Sequence, residues 1–216
     1  HYFTDPELSF FIIILASISL ISVIILTSNQ TYPISQSLEY GIFTSISIAT
    51  TTGFAVDNIN AWPNALPFIL FFASFAGGCM GSTAGGMKVM RILLLLKQGS
   101  KELKTLVHPS AIFSIRLRGN IVSKRLMESL SAFIAIYLLT FVLLMIILLI
   151  MDVDMITAWS TVTACLNNLG PGLGEASFNY FEFTDSVKAV LCAAMLLGRL
   201  EIMTVFVLFS RLFWQR

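Results

Sequence analysis

The sequence predicts an all-α membrane protein made of two tandem, parallel helix–pore-loop–helix repeats. Three observations predict it. The chain of 216 residues is 56% hydrophobic and only 12% charged, with a mean hydropathy of +0.86, whereas soluble domains sit nearer a quarter charged. The segment Thr50-Thr51-Thr52-Gly53-Phe54-Ala55-Val56 lies between a short semi-apolar stretch and a long apolar run. The same order, long apolar run, short mixed helix, glycine-bearing polar loop, long apolar run, then occurs again downstream. Irregular backbone at membrane depth is tolerated only where it is buried in protein or lines a watery cavity, so the repeated loop reads as the lining of a pore.

Taken in order, residues 10–26 form an apolar helix about 26 Å long at 1.5 Å per residue, just enough to span. No basic n-region precedes it, so it does not read as a signal peptide, and a chain starting at His1 is expected to be part of a longer protein. Residues 27–34, with Pro33, exit to water. Residues 35–49 are the first candidate pore helix, with Glu39 suited to its positive end. The Thr-rich loop that follows can aim carbonyls and hydroxyls at a cation, and Gly53 supplies the backbone freedom. In the second set, residues 129–150 are the long run, 156–166 the short helix, Asn167-Asn168-Leu169-Gly170-Pro171-Gly172-Leu173-Gly174 the loop, and 187–209 the closing span. Gly53 and Gly170 hold equivalent places. The two repeats divide the chain at 1–108 and 109–216.

Residues 65–96 would be about 48 Å long as one straight helix, against a hydrocarbon core of about 30 Å. Their middle reads Gly77-Gly78-Cys79-Met80-Gly81-Ser82-Thr83-Ala84-Gly85-Gly86. Each glycine costs about 1 kcal/mol in a helix interior, so two helical pieces joined by an unwound loop are expected. Gly77/Gly81 and Gly81/Gly85 also fit the small-residue helix-packing pattern, but packing does not require Ser82-Thr83 between them. A phosphate-binding loop fits poorly, because Lys88 lacks the Gly-Lys-Ser/Thr order. Cys79, Cys165 and Cys192 have no metal-ligand spacing and read as small buried hydrophobes.

Charge is segregated. Lys88, Arg91, Lys97, Lys101, Lys104, Arg116, Arg118, Lys124 and Arg125 fall between the repeats, with Glu102, and Arg211 and Arg216 at the end. Short basic loops stay cytoplasmic. The loop sides carry Glu39, Asp57, Asp152, Asp154, Glu175, Glu182 and Asp185, with Lys188. Both polar loops are therefore expected outside, and 88–125 and the C-terminus inside. The acids read as solvated loop charge with a modest cation-attracting vestibule in addition. Arg199 and Glu201 fall in mid-span of 187–209, where a charge costs at least ~2.5 kcal/mol. Two residues apart on a helix, they cannot neutralise each other. Free carbonyls of an unwound 77–86 loop are the natural acceptors for Arg199, whether as a static packing bridge or as a gate.

Together, the Thr-Thr-Gly-Phe loop, the Gly-Gly-Cys-Met-Gly-Ser-Thr-Ala-Gly-Gly-Met-Lys break and Gly198-Arg199-Leu200-Glu201 resemble the membrane subunit of Trk-type potassium transporters, in the TrkH/KtrB superfamily. The resemblance covers the whole chain, and Gly-Arg-Leu-Glu points to the Trk branch. It implies four span–loop–span repeats around one pore, of which this chain matches the third and fourth, so half of a potassium-channel-like ring. It implies filter residues Thr51, Thr52, Gly53, Phe54, Asn168, Leu169 and Gly170, with the transported K+ at Thr51, Thr52, Gly53, Asn168, Leu169 and Gly170. It makes Gly77, Gly78, Gly81, Ser82, Thr83, Gly85 and Gly86 a gating loop, with Arg199 beside it. It further implies potassium uptake across the inner membrane, the missing first two repeats, a homodimer, a lipid bilayer and a cytoplasmic nucleotide-binding regulatory subunit. The fourth-repeat loop departs from Thr-x-Gly-Phe, which loosens the expectation of strict potassium-over-sodium preference.

Rival readings are a sodium/potassium-permeable channel, an alternating-access cation symporter and an intramembrane enzyme. Broken-helix symporters use inverted repeats, whereas these repeats run in parallel. Gly172-Leu173-Gly174-Glu175 faintly resembles a protease acid, but a second carboxylate at the same depth is needed and only Glu201 is on offer. His1 and His108 are too few for a histidine metal site. Neither enzymatic chemistry, a covalently bound cofactor nor a nucleic-acid partner is expected.

Overall fold

A computed structural model describes residues 5–63, 65–117, 120–177, 179–209 and 211–215; His1, Arg118 and Arg216 lie outside the described residues. The chain opens with α1 (Pro6–Ser28), begun by the side chain of Asp5, which accepts from the Glu7 amide, and by Pro6 in the first turn. Both devices satisfy or remove amides that a helix start leaves orphaned. After Pro33 comes α2 (Ile34–Ala49). Its buried face is small and polar: Ser37, Gly41, Thr44, Ser45 and Ser47. In a bilayer, small residues and interhelical hydrogen bonds take over from the hydrophobic effect. Accordingly Ser22 of α1 and Ser45 of α2 share a 2.7 Å hydrogen bond. A side chain at Gly41 would meet Val23 at 3.2 Å. Glu39 lies beyond the first turn of α2, which holds no acid, so the expected pairing of Glu39 with the helix dipole is not made.

A short 3₁₀ turn (Ile59–Ala61) leads into α3 (Ala65–Ser74). The helix stops there, and α4 (Val89–Val107) begins after an unwound segment spanning residues 75–88. The single overlong run is thus two helices with the glycines between them, as the glycine density requires. α4 continues past the apolar run to Val107, then a small hairpin pairs β1 (Arg116–Leu117) with β2 (Asn120–Ile121). Next, α5 (Lys124–Ile150) is capped by Ser123, and α6 (Met155–Leu166) by Asp154, whose carboxylate accepts from the Ile156 and Thr157 amides.

The last expected span is corrected. It is two helices, α7 (Asp185–Arg199) and α8 (Ile202–Phe209), bent by 104° at the Leu200–Glu201 junction, followed by α9 (Arg211–Trp214). Glu201 sits at φ 59°, a left-handed conformation uncommon outside glycine. Arg199 and Glu201 therefore flank an elbow rather than lie in mid-helix. Among the described residues two helices, α1 and α5, are long and apolar enough to cross a membrane, and the α7–α8 pair makes a third if counted as one bent span.

Contacts repeat between the halves. α1 packs on α2, α3 and α4, and α2 on α3; α5 packs on α6, α7 and α8, and α6 on α7. The halves meet where Trp159 of α6 lies among Phe68, Phe71 and Phe72, at ring separations of 5.0, 5.8 and 5.6 Å. α6 is the interior helix of its half: every residue from Thr157 to Leu166 except Trp159 is buried. Its buried Ser160, Thr161 and Thr163 hydroxyls bond back to their own helix's carbonyls, which removes the cost of burying them. Conversely, α1 and α5 expose Ile12, Ile13, Leu20, Leu139 and Leu143, a surface suited to lipid or to further helices. Cys165 is buried, whereas Cys192 is exposed, against the expectation for the latter.

Candidate functional site

The two polar loops share one backbone design. After α2, the amides of Thr50, Thr51 and Thr52 donate to Ile46, Ile48 and Ser47; after α6, those of Asn167, Asn168 and Leu169 donate to Thr163, Cys165 and Ala164. Thr51 (φ 56°) and Asn168 (φ 53°) are both left-handed, as are Gly53 (φ 82°) and Gly170 (φ 107°). Among the described residues, no donor reaches the carbonyls of Thr51, Thr52, Gly53, Asn168 or Leu169. Unpaired carbonyls at a helix end are costly unless something else takes them. Two carbonyls are committed instead: that of Phe54 accepts from Ser47 Oγ at 2.7 Å, and that of Gly170 from the Tyr180 hydroxyl at 2.6 Å. Phe54 itself is 70% exposed. The loops touch each other, since a Cβ on Gly53 would lie 2.0 Å from the Leu169 carbonyl oxygen.

The 75–88 segment packs against both. The Gly85 amide donates to Thr51 Oγ1 at 3.0 Å, and a Cβ on Gly85 would lie 1.7 Å from the Asn167 carbonyl oxygen. Asn167 is immobilised by the Tyr137 hydroxyl on Oδ1 and by its own Nδ2 on Ser74 Oγ at 2.7 Å. Gly77, Gly78 and Gly85 are buried, and Gly77 (φ 60°) and Gly86 (φ 74°) hold left-handed turns. Gly81, Ser82 and Thr83 form an exposed tip.

Cations grip that tip. Arg199 donates through Nη1 to the Thr83 carbonyl at 2.6 Å, the acceptor class expected for it. Lys88 Nζ donates to the carbonyls of Ser82, at 2.7 Å, and of Ala84. Lys88 itself is buried and strained at φ 73°. Arg91 bonds Glu201 at 3.3 Å and lies 3.9 Å from the centre of the Phe133 ring. At the far side of the segment, the Met80 amide donates to the buried carboxylate of Glu7 at 2.6 Å. A cavity of about 290 Å³ lies among Ser82, Thr83, Lys88, Gly198, Arg199 and Glu201. Asp57, expected as solvated charge, is instead half-buried, accepting from the Tyr32 hydroxyl and from Trp62 Nε1 at 3.1 Å. The Tyr32 bond holds its carboxyl below the ordinary carboxylate range.

The structure thus brings Thr51, Gly53, Asn167–Gly170, the 75–88 loop and Arg199 into one assembly. Sequence reasoning missed Lys88 as a ligand of the loop, Glu7 as its other anchor, and Tyr180. Lys88 carried a signal, being the basic residue that ends the glycine break. Glu7 carried none, because its partner is far away in the chain.

A family model described as TrkH: Cation transport protein matches residues 1–216. The chain is 47% identical to the Trk system potassium uptake protein TrkH of Halomonas elongata over all of this chain and 45% of that protein. It is 42% identical to the protein of that name from Escherichia coli K12, covering 99% of this chain and 44% of the other. The crystal structure of the potassium transporter TrkH from Vibrio parahaemolyticus superposes with a TM-score of 0.94 at 42% identity, over 99% of this chain and 46% of that one. The chain spans less than half the length of these relatives. On the full-length family match and these identities, the chain belongs to the TrkH cation transport protein family.

Proposed function

We propose that this chain is the third and fourth of four span–loop–span repeats around a potassium pore, and that the complete protein takes up potassium across the inner membrane. One observation carries the reading: the Gly85 backbone is wedged between Thr51 and Asn167, so a segment held by Arg199 and Lys88 sits directly on both polar loops. The loops are the filter, with Thr51, Thr52, Gly53, Asn168, Leu169 and Gly170 presenting oxygens to K+ and Phe54 closing the first. Gly77, Gly78, Gly81, Ser82, Thr83, Gly85 and Gly86 form the gate, locked by Arg199. A guanidinium cannot lose its proton, so it adds a fixed positive charge to the plug. Opening withdraws the exposed tip, with Gly81 absorbing the dihedral change.

The charge pattern supports filter loops facing outside and residues 88–125 with the C-terminus facing the cytoplasm. The relatives are named as proteins of a Trk system. A homodimer and a cytoplasmic nucleotide-binding regulatory subunit complete the assembly, and α4, which begins directly after Lys88 and carries Arg91, is the helix that connects the cytoplasmic hairpin to the gate. The reading is tested by expressing the full-length protein in a cell that lacks potassium uptake. Growth at limiting potassium is expected, and failure to grow with correctly inserted protein contradicts it.

A further inference from the structure

Two loops that coordinate one ion must hold a fixed distance from each other, and one side chain joins their outer arms. Asn60 lies in the 3₁₀ turn that follows the first loop. Its Nδ2 donates to the Gly174 carbonyl at 3.3 Å and its Oδ1 accepts from the Gly174 amide at 3.2 Å. This reciprocal amide–backbone pair is the only hydrogen-bonded link between the outer arms of the two loops among the described residues.

Both ends of the link are anchored. On the Asn60 side, Asn58 Oδ1 accepts from the Asn60 amide at 3.1 Å, and the Tyr32–Asp57–Trp62 clamp fixes the turn at its base. On the other side, the Leu173 amide donates to buried Ser160 Oγ at 2.9 Å. Gly174 (φ 63°) is pressed on Thr157, where a Cβ would come within 2.3 Å of the hydroxyl. Each arm is therefore rigid on its own half. Between the arms lies a cavity of about 390 Å³ lined by Ala55, Asp57, Asn58, Pro171, Gly172 and Ser177. Remove Asn60 and two rigid arms remain with the 390 Å³ gap and no polar tie.

We infer that Asn60 is a positioning residue for ion discrimination: it sets the spacing of the third and fourth loops at the seam where their sequences differ. The inference rests on reading the loops as a filter. Its role in folding is small, because Asn60 is exposed and each neutral hydrogen bond contributes only about 0.5–1.5 kcal/mol.

The test uses the full-length protein in proteoliposomes, with potassium and sodium flux measured for Asn60→Ala, Asn60→Asp and Gly53→Ser. Asn60→Ala is expected to lower the potassium-to-sodium flux ratio by about two- to twelvefold, the weight of one such bond. Asn60→Asp keeps the acceptor for the Gly174 amide and loses the donor to its carbonyl, so it is expected to fall between wild type and Asn60→Ala. Melting temperature and yield are expected to stay at wild-type values in both. If Gly53→Ser changes the ratio and neither Asn60 variant does, the inference is overturned and the filter reading stands. If Gly53→Ser leaves the ratio unchanged, the filter reading itself falls. A Asn60→Ala variant that lowers stability and both fluxes in proportion, with the ratio intact, assigns Asn60 to folding and also overturns the inference.

Discussion

Gly85→Ala probes the contact between the 75–88 loop and the Asn167–Gly170 loop. The added methyl would sit 1.7 Å from the Asn167 carbonyl oxygen, 2.4 Å from its carbon and 3.2 Å from its Cα. All three are backbone atoms, so no side chain can swing aside. Asn167 cannot yield either, since Tyr137 and Ser74 hold its side chain inside the core. The exposed tip of the 75–88 loop can. It must retreat by about 1.3 Å before the contact is one that proteins tolerate, which also breaks the Gly85–Thr51 hydrogen bond. Overpacking costs about 1–3 kcal/mol and the lost bond about 1 kcal/mol. At a factor of ten per 1.4 kcal/mol, the sum shifts the loop's equilibrium toward withdrawal by roughly 30- to 700-fold. The assay is basal potassium flux per folded full-length protein in proteoliposomes, normalised by monodisperse gel-filtration yield. Flux is expected to rise at least tenfold or to saturate, with the potassium-to-sodium ratio retained. Gly99→Ala, which meets no atom within 4 Å, serves as the control. Unchanged or reduced flux per folded Gly85→Ala protein would refute the gate.

Gly53→Ser forces a side chain at φ 82° to within 2.0 Å of the Leu169 carbonyl, and potassium discrimination is expected to collapse. Gly170→Ser is strained at φ 107° but meets open space, so flux-ratio measurements should show a weaker loss. Arg199→Ala frees the Thr83 carbonyl and should raise basal flux per folded protein; a fall in that quantity would make Arg199 a packing bridge. Asp57 has a folded pKa below its ordinary value of about 4. Its contribution to stability is therefore complete above about pH 4 and lost as pH falls through the lowered value. Asp57→Asn should flatten that acid limb in thermal unfolding followed from pH 7 to pH 3, and an unaltered limb would place the titration elsewhere.

The elements that follow from composition and spacing were legible in the sequence. Glycine density announced the break between α3 and α4, Thr50–Gly53 and Asn167–Gly170 announced paired loops, and the cost of a guanidinium within an apolar run sent Arg199 to loop carbonyls, where Thr83 receives it. What was not legible depends on pairing across distance. No Gly or Pro at Leu200 or Glu201 signals the 104° bend; Gly198 lies just before it, pressed on the Leu166 carbonyl, and Arg91 and Thr83 hold its two flanks. Asp57 read as solvated because nothing local shows Tyr32 and Trp62 converging on it. Lys88 read as topology signal because its charge fits both a cytoplasmic flank and a carbonyl ligand, and only the fold decides between them.

The central claim is that the carbonyls after α2 and α6 line one cation pathway. Anomalous scattering from thallium or rubidium in crystals of the full-length protein tests it most directly. A peak is predicted among the oxygens of Thr51, Thr52, Gly53, Asn168, Leu169 and Gly170, absent from Gly53→Ser crystals. A protein that conducts potassium yet shows its bound cation away from these oxygens would contradict the account.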